Sequence, residues 1–276
     1  MFTLNCKGRL LNINQPIVMG ILNINKDSFY SGNRYTADEA LLLRAQQMIA
    51  DGAAILDIGG QSTRPGSALI SADEELARVI PAVESIHKTF PETIISVDTF
   101  YAEVAKEAVK AGASIINDIS AGSLDEALID TVASLQVPYV LMHMQGTPQT
   151  MQHHPHYEDV CREVLDFLIR KIALLKTKGI KDIIVDPGFG FGKTATHNFT
   201  LLKNLGLFKM TDLPLLLGVS RKGFIYRTLG TDAEQALNGT TVLNTLGLIN
   251  GADILRVHDV KQASEAIRLT SAIGPC

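Results

Sequence analysis

Asp186 to Lys193 read DPGFGFGK: a carboxylate, an ammonium, two aromatic rings and three glycines in one short stretch. Glycines this close let a backbone approach a ligand, and phosphate is the first ligand to test. A phosphate loop needs GxxxxGK[ST]. Gly192-Lys193-Thr194 supplies its end, but the first glycine would fall at 187, which is Pro187. A dinucleotide loop fits Gly190-x-Gly192-x-x-Ala195, but it wants an acidic residue about 20 positions on, at the end of the next strand. Asp212 has that spacing and precedes the strand. The more specific chemistry belongs to Asp186. One carboxylate accepts two parallel N–H bonds, as it does from arginine. A guanine-like or pterin-like ring, with an exocyclic amine beside a ring N–H, offers the same donor pair. Pro187 fixes the turn, Gly188 bends the chain away, and Phe189 or Phe191 covers a flat ring.

Strands must hold such a residue in place. Apolar runs rich in Ile, Val and Leu recur at 17–24, 53–60, 93–99, 114–120, 138–144, 182–188, 213–220 and 252–259. Their near-continuous apolarity fits parallel strands covered on both faces. Helical periodicity lies between them. One stretch ends at Gly52, one opens with Ser71 before an acidic turn, and the longest ends at Gly179. Eight strands alternating with helices predict an α/β fold, a (β/α)8 TIM barrel, as a single domain over 1–276. A doubly wound open sheet is the alternative. The strands end in polar residues: Asn23; Asp57; Asp98; Asn117 and Asp118; His143; Asp186; Ser220; Arg256 and His258. In such a barrel these ends form the active-site rim. Asp98 and Asp186, each behind an apolar run, are expected to face the mouth.

The chain of 276 residues has a net charge of -4, which disfavours nucleic acid as a partner. An anionic substrate would need its cations gathered at one place. The three cysteines, Cys6, Cys161 and Cys276, lack CxxC spacing and argue for a reduced compartment. The N-terminal segment lacks the apolar core of a signal peptide, and no run approaches a membrane span. A cytoplasmic protein, away from membranes, is expected.

ILNINKDSF (21–29), DIGGQSTRPG (57–66), SVDT (96–99), INDIS (116–120), LMHMQGTP (141–148), DPGFGFGK (186–193), GVSRKGF (218–224) and ILRVHD (254–259) occur in that order. Together they closely resemble the dihydropteroate synthase family, over nearly the whole chain and at one motif per strand. The resemblance implies a TIM-barrel transferase of folate biosynthesis. It would join 4-aminobenzoate to (7,8-dihydropterin-6-yl)methyl diphosphate, releasing pyrophosphate, with sulfonamides as competitors for the aminobenzoate site. It implies that Asp186, Asn117 and Asp98 bind the pterin edge, with Gly218 beside it. Met142 and Phe191 would sandwich the ring, and Lys222 would reach its oxo group. Asn23, Thr63, Arg64, Arg256 and His258 would take the diphosphate, and Asn23 would bind Mg²⁺, which keeps most of its waters on a phosphate. Phe29, Pro65, Ser220, Lys222 and Gly223 would border the aminobenzoate, Asp27 and Ser28 would lie on a mobile loop, and the protein would form a homodimer. The implied course is loss of pyrophosphate to leave a pterin-methyl cation, then attack by the aminobenzoate amine.

Two places depart from the family pattern. Asn25-Lys26 stands where Thr-Pro is common, so the first loop lacks a proline restraint. Gly223 stands where serine or arginine is common, which removes a side chain beside the aminobenzoate. Other readings are structural. Asp57 is expected to accept from loop backbone and is left out of the site. Arg221 reads equally well as a structural salt bridge, and His143 as a strand-end histidine. His153, His154 and His156 read as loop residues rather than a metal site, and Cys161 as packing. A methyltetrahydrofolate methyltransferase on the same barrel would share the pterin anchors but would not need STRPG or SRK. A binding paralogue without turnover would not need the anion residues.

Overall fold

The computed structural model describes residues 1–24, 34–61, 69–151 and 154–274. A hairpin, β1 (Phe2–Cys6) and β2 (Arg9–Ile13), comes first and turns through Lys7 and Gly8, both at positive φ. A repeating unit then follows. It comprises β3 (Ile17–Asn23), α1 (Arg34–Ala50), β4 (Ala53–Gly59), α2 (Ala72–Thr89), β5 (Ile94–Asp98), α3 (Ala102–Ala111), β6 (Ile115–Asp118), α4 (Leu128–Leu135), β7 (Tyr139–Met142) and α5 (Val160–Thr177). It continues with β8 (Ile183–Asp186), α6 (Ala195–Lys203), β9 (Leu216–Leu217), α7 (Gly223–Thr228), α8 (Leu237–Ile249), β10 (Ile254–Val257) and α9 (Val260–Ile273).

The larger sheet has the order β8-β7-β6-β5-β4-β3-β10-β9, and all its pairings are parallel. A parallel bridge from Val185 to Leu215 joins the two ends of that order and closes a barrel. The expected eight strands are therefore present. The β1–β2 hairpin is an addition that the apolar runs did not reveal.

Side chains alternate between the two faces of a strand. One set, Met19, Ile55, Ile94, Ile115, Val140, Ile184, Leu216 and Ile254, contributes one apolar residue from each barrel strand to a single buried cluster. Leu4, Cys6 and Ile13 of the hairpin pack into the same cluster. The hairpin thus closes the N-terminal end of the barrel. Residues of the opposite parity, such as Leu56, Val97, Leu141, Val185 and Val257, join the larger core between barrel and helices. Two positions beyond the apolar ring, the same inward face carries Ile21, Asp57, Ser96, Asn117, Met142, Asp186, Gly218 and Arg256, five of them polar. The change from apolar to polar along one face sets the depth of the mouth.

The helices are started and stopped by their own sequence. Ser71 caps α2 by accepting from Glu74 N, and Asp159 caps α5 by accepting from Cys161 N and Arg162 N. Gly52 and Gly179, at φ +103° and +86°, follow α1 and α5. No described helix is long and apolar enough to cross a membrane.

Candidate functional site

Asp57 is fully buried on β4, and its Oδ2 is the centre of the polar layer. It accepts from Asn117 Nδ2 at 3.0 Å and from Arg256 Nε at 2.6 Å. Arg256 Nη2 also donates to Asp98 Oδ2 at 2.5 Å. One guanidinium therefore bridges two buried carboxylates. Burial alone would lower the Arg256 pKa, but Asp57 and Asp98 outweigh it and hold it raised. Burial pushes the Asp98 carboxyl up to about 7, against the opposing pull of Arg256. Asp57 Oδ1 and Ser96 Oγ, from register-paired residues of β4 and β5, are buried with no hydrogen-bond partner among the described residues. Asp57 thus belongs to the site, and its assignment to loop backbone is corrected. Parity carries the signal: Asp57 follows Ile55 as Asp186 follows Ile184 and Arg256 follows Ile254.

Asp118 is the converse case. It faces the helices, where it accepts from Tyr139 Oη at 2.6 Å and from the backbone of Ser120 and Gly122 at 2.7 Å each. It is a structural acceptor outside the mouth.

Asp186 closes β8. Its Oδ1 accepts from Gly188 N at 2.7 Å, and its Oδ2 lies 3.6 Å from where a Cβ on Gly218 would stand. Burial holds its carboxyl raised, while Lys222 counteracts the shift most strongly. The glycines after it have a steric cause. At φ +73°, Gly188 passes so close to the β7 end that a Cβ would come within 1.8 Å of His143 O. A Cβ on Gly192 would lie 2.4 Å from Gln145 O. The loop is therefore laid against the chain after β7, not against a phosphate.

Lys193 holds it there. Its Nζ donates to Gly188 O at 2.9 Å, Phe191 O at 3.1 Å and His143 O at 3.3 Å, and it pairs with His143 Nδ1 at 2.9 Å. Burial, then the Lys193 charge, pushes the His143 imidazole down to about 2. His143 therefore remains neutral and can accept from Lys193. Sequence reasoning missed this role of Lys193, because its two bonds to His143 join residues 50 apart.

The open choice between the two phenylalanines is resolved by burial. Phe189 lies in the core between barrel and helices. Phe191 turns to the mouth and joins Met142, Phe100, Ile119 and Met151. Lys222 Nζ stands 4.6 Å from the Phe191 ring centroid and donates to Phe189 O. Burial pushes the Lys222 ammonium down to about 8, although Asp186 opposes the shift.

The other predicted residues divide into four groups. Asn23 is exposed at the end of β3, with Oδ1 3.6 Å from where a Cβ on Gly59 would stand; that same Cβ would lie 3.5 Å from Asp98 Cβ. Ser220 and His258 meet: Ser220 Oγ is 2.9 Å from His258 Nδ1 and accepts from His258 N at 3.1 Å. Arg221 does not enter the mouth, since its fork closes on Asp259 at 2.8 Å through both Nε and Nη2. Asp27, Ser28, Phe29, Thr63, Arg64 and Pro65 lie outside the described residues, as do Asn25 and Lys26.

Behind the mouth, Glu75 of α2 is fully buried. Its Oε2 accepts from Thr99 Oγ1 at 3.1 Å, and its Oε1 has no partner among the described residues. Burial first, then Asp98, pushes its carboxyl up to about 8. Among the described residues, no group of three or more His, Cys, Asp and Glu could hold a metal ion. Cys6 and Cys161 are buried free thiols.

A family profile described as pterin binding enzyme matches residues 19–258. The dihydropteroate synthase of Escherichia coli strain K12 is 46% identical over 268 residues, which cover 96% of this chain and 94% of that protein. Among solved structures, the Yersinia pestis dihydropteroate synthase with a sulfonamide drug complex is similar at a TM-score of 0.92, with 40% identity and 99% of each chain covered. The Xanthomonas albilineans dihydropteroate synthase with 4-aminobenzoic acid is similar at a TM-score of 0.91, with 41% identity, covering 98% of this chain and 97% of that one.

Proposed function

The chain belongs to the dihydropteroate synthases, the folate-pathway transferases among the pterin-binding enzymes, and from that premise we propose how its barrel mouth performs their condensation. The substrates are (7,8-dihydropterin-6-yl)methyl diphosphate and 4-aminobenzoate. The observation that carries the site assignment is the buried Asp186 carboxylate on the inward face, with Asn117 in the same polar layer and Asp98 two positions further along β5. Asp186 accepts the exocyclic amine and ring N–H of the pterin in parallel. Asn117, fixed by Asp57, donates and accepts at the mixed ring edge. Met142 and Phe191 cover the ring faces.

Arg256, His258 and Asn23 border the diphosphate, with Thr63 and Arg64 of the STRPG segment. Asp57 and Asp98 hold Nε and Nη2 of Arg256, so its remaining Nη1 N–H groups are the donors for a phosphate oxygen. Asn23 fits Mg²⁺ as a single hard oxygen donor, since the ion retains waters and phosphate oxygens. When bound, Mg²⁺ would neutralise charge on the leaving group. The methylene C–O bond breaks with its electron pair leaving on pyrophosphate, and the pterin ring spreads the resulting positive charge. The aminobenzoate nitrogen forms the new C–N bond and releases its proton to solvent. Lys222 orients the pterin while its stem borders the aminobenzoate. Ser220, Gly223, Phe29 and Pro65 complete that second pocket, where a sulfonamide competes.

A homodimer is part of the reading. Val242, Leu246 and Ile249 form one exposed apolar stripe on α8, and Leu269 and Ile273 are exposed on α9. A second copy of the chain covering both helices is the proposed occupant, and the assembled enzyme works in the cytoplasm.

The direct test supplies the pterin diphosphate, Mg²⁺ and 4-aminobenzoate and follows pyrophosphate. Release that requires all three supports the reading. Tight pterin binding without release would overturn it.

A further inference from the structure

Side chains on an α-helix lean toward its N-terminus, so a residue covers the surface four positions before it. On α7 this links Arg227 to Gly223. A Cβ built on Gly223 would lie 2.5 Å from Arg227 Nη1, 2.9 Å from Cζ and 2.9 Å from Nη2. These distances are far inside van der Waals contact. The guanidinium therefore occupies the volume that any side chain at 223 would need. It can do so only because residue 223 is glycine.

Its surroundings leave it available to a ligand. Arg227 is exposed, with Cζ 5.7 Å from the Tyr226 ring centroid. Among the described residues it makes no ion pair. Arg221 shows the contrast, because Asp259 already fills its fork. Position 223 also adjoins the mouth. Lys222, immediately before it, reaches Phe191 and Phe189 O, and Ser220 meets His258.

Resting on the reaction proposed above, the geometry points to Arg227 as the residue that selects an acceptor with an anionic para substituent, pairing its guanidinium with the carboxylate of 4-aminobenzoate across the space left by Gly223. The substrate class is an arylamine with an acidic group opposite its amine. Arg227 acts on acceptor affinity and takes no part in breaking the methylene C–O bond. Binding of the pterin does not involve it.

The experiment compares wild type, Arg227→Gln, Gly223→Ala and the double variant, using pyrophosphate release with 4-aminobenzoate and with uncharged 4-aminobenzamide. Arg227→Gln is expected to raise the KM for 4-aminobenzoate about tenfold, the scale of one charge-assisted hydrogen bond. Its kcat, its KM for the pterin diphosphate and its KM for the amide should stay within about twofold of wild type. Gly223→Ala, whose methyl displaces the flexible guanidinium, should act in the same direction, and adding Arg227→Gln should then change little. A 4-aminobenzoate KM unchanged in Arg227→Gln would overturn the proposal, and so would equal losses for acid and amide. If wild type releases no pyrophosphate, the reaction reading fails separately. Calorimetric binding of acid against amide to wild type and Arg227→Gln then still decides the role of Arg227.

Discussion

Arg256 Nη2 donates to Asp98 Oδ2 at 2.5 Å while the same guanidinium is held by Asp57, so the strongest cation of the mouth is fixed between two carboxylates. The arrangement makes Asp57 the anchor of both Arg256 and Asn117. In Asp57→Asn, the amide oxygen can still accept from Asn117 and Arg256, but the negative charge that holds the Arg256 guanidinium is lost. Removing a charged partner from a buried network costs about 2–3 kcal/mol. Pterin affinity by calorimetry should fall about thirtyfold or more, although Asp57 itself need not touch the ring. An unaltered affinity would return Asp57 to a purely structural role.

Arg256→Ala should weaken binding of the pterin diphosphate more than binding of the bare pterin. The bare pterin is expected to lose affinity as well, because Asp57 and Asp98 are left without their shared cation. Equal losses for the two ligands, compared by titration calorimetry, would count against a phosphate contact.

Asp186→Asn keeps the shape of the side chain but loses one of two acceptors. Each hydrogen bond to a charged group is worth about 1.5–3 kcal/mol. Pterin binding should drop by about ten- to a hundredfold, with little change in thermal stability. A pterin titration and a melting curve on the same preparation separate these two effects.

Lys193→Met removes the donor shared by Gly188 O, Phe191 O and His143 O. Gly188 O keeps Phe191 N at 3.2 Å, but leaving the buried Phe191 and His143 carbonyls without this donor costs about 1–3 kcal/mol each. The melting temperature should fall by several degrees, and pterin affinity should fall with it because Phe191 is no longer fixed. Retained stability with retained pterin affinity would show that the glycine loop holds its shape unaided.

Glu75 gives a stability test with a definite sign. Its folded pKa, about 8, lies above its ordinary value of 4.5. The neutral acid is therefore favoured in the folded state. Its contribution is fully present below about pH 4.5 and is lost as pH rises through about 8. Wild type should lose on the order of a few kcal/mol across that window, and Glu75→Gln should remove this component of the pH dependence. Urea denaturation at pH 5, 6.5 and 8 measures both slopes. Parallel slopes would mean that Glu75 is ionised in the folded protein.

The barrel was legible because its strands are buried on both faces and so are continuously apolar. Asp186, Asn117 and Asp98 were legible because each ends such a run. Asp57 stands among the polar strand ends but was left out of the site, because DIGG read as a carboxylate accepting from loop backbone. Counting inward positions from Ile55 would have found it. The β1–β2 hairpin lay in a stretch that was tested only as a leader segment. Its signal was Lys7-Gly8 between two alternating runs, a two-residue turn with both residues at positive φ. Lys193 was not legible, because His143 is brought to it only by the fold. Arg227 stands four positions after Gly223 on one helix, a spacing that no motif singled out.

The hairpin that Leu4, Cys6 and Ile13 press into the apolar ring gives the barrel a floor. A vessel closed at the bottom imposes an order on its traffic. In the proposed reading, the pterin lies against the deep polar layer and the aminobenzoate above it, near Ser220 and Gly223. Whatever lies deepest must arrive first and leave last. An occupant of the upper pocket therefore bars both the entry and the exit of the lower one, and a competitor lodged there would hold a bound pterin in place as well as excluding the acceptor.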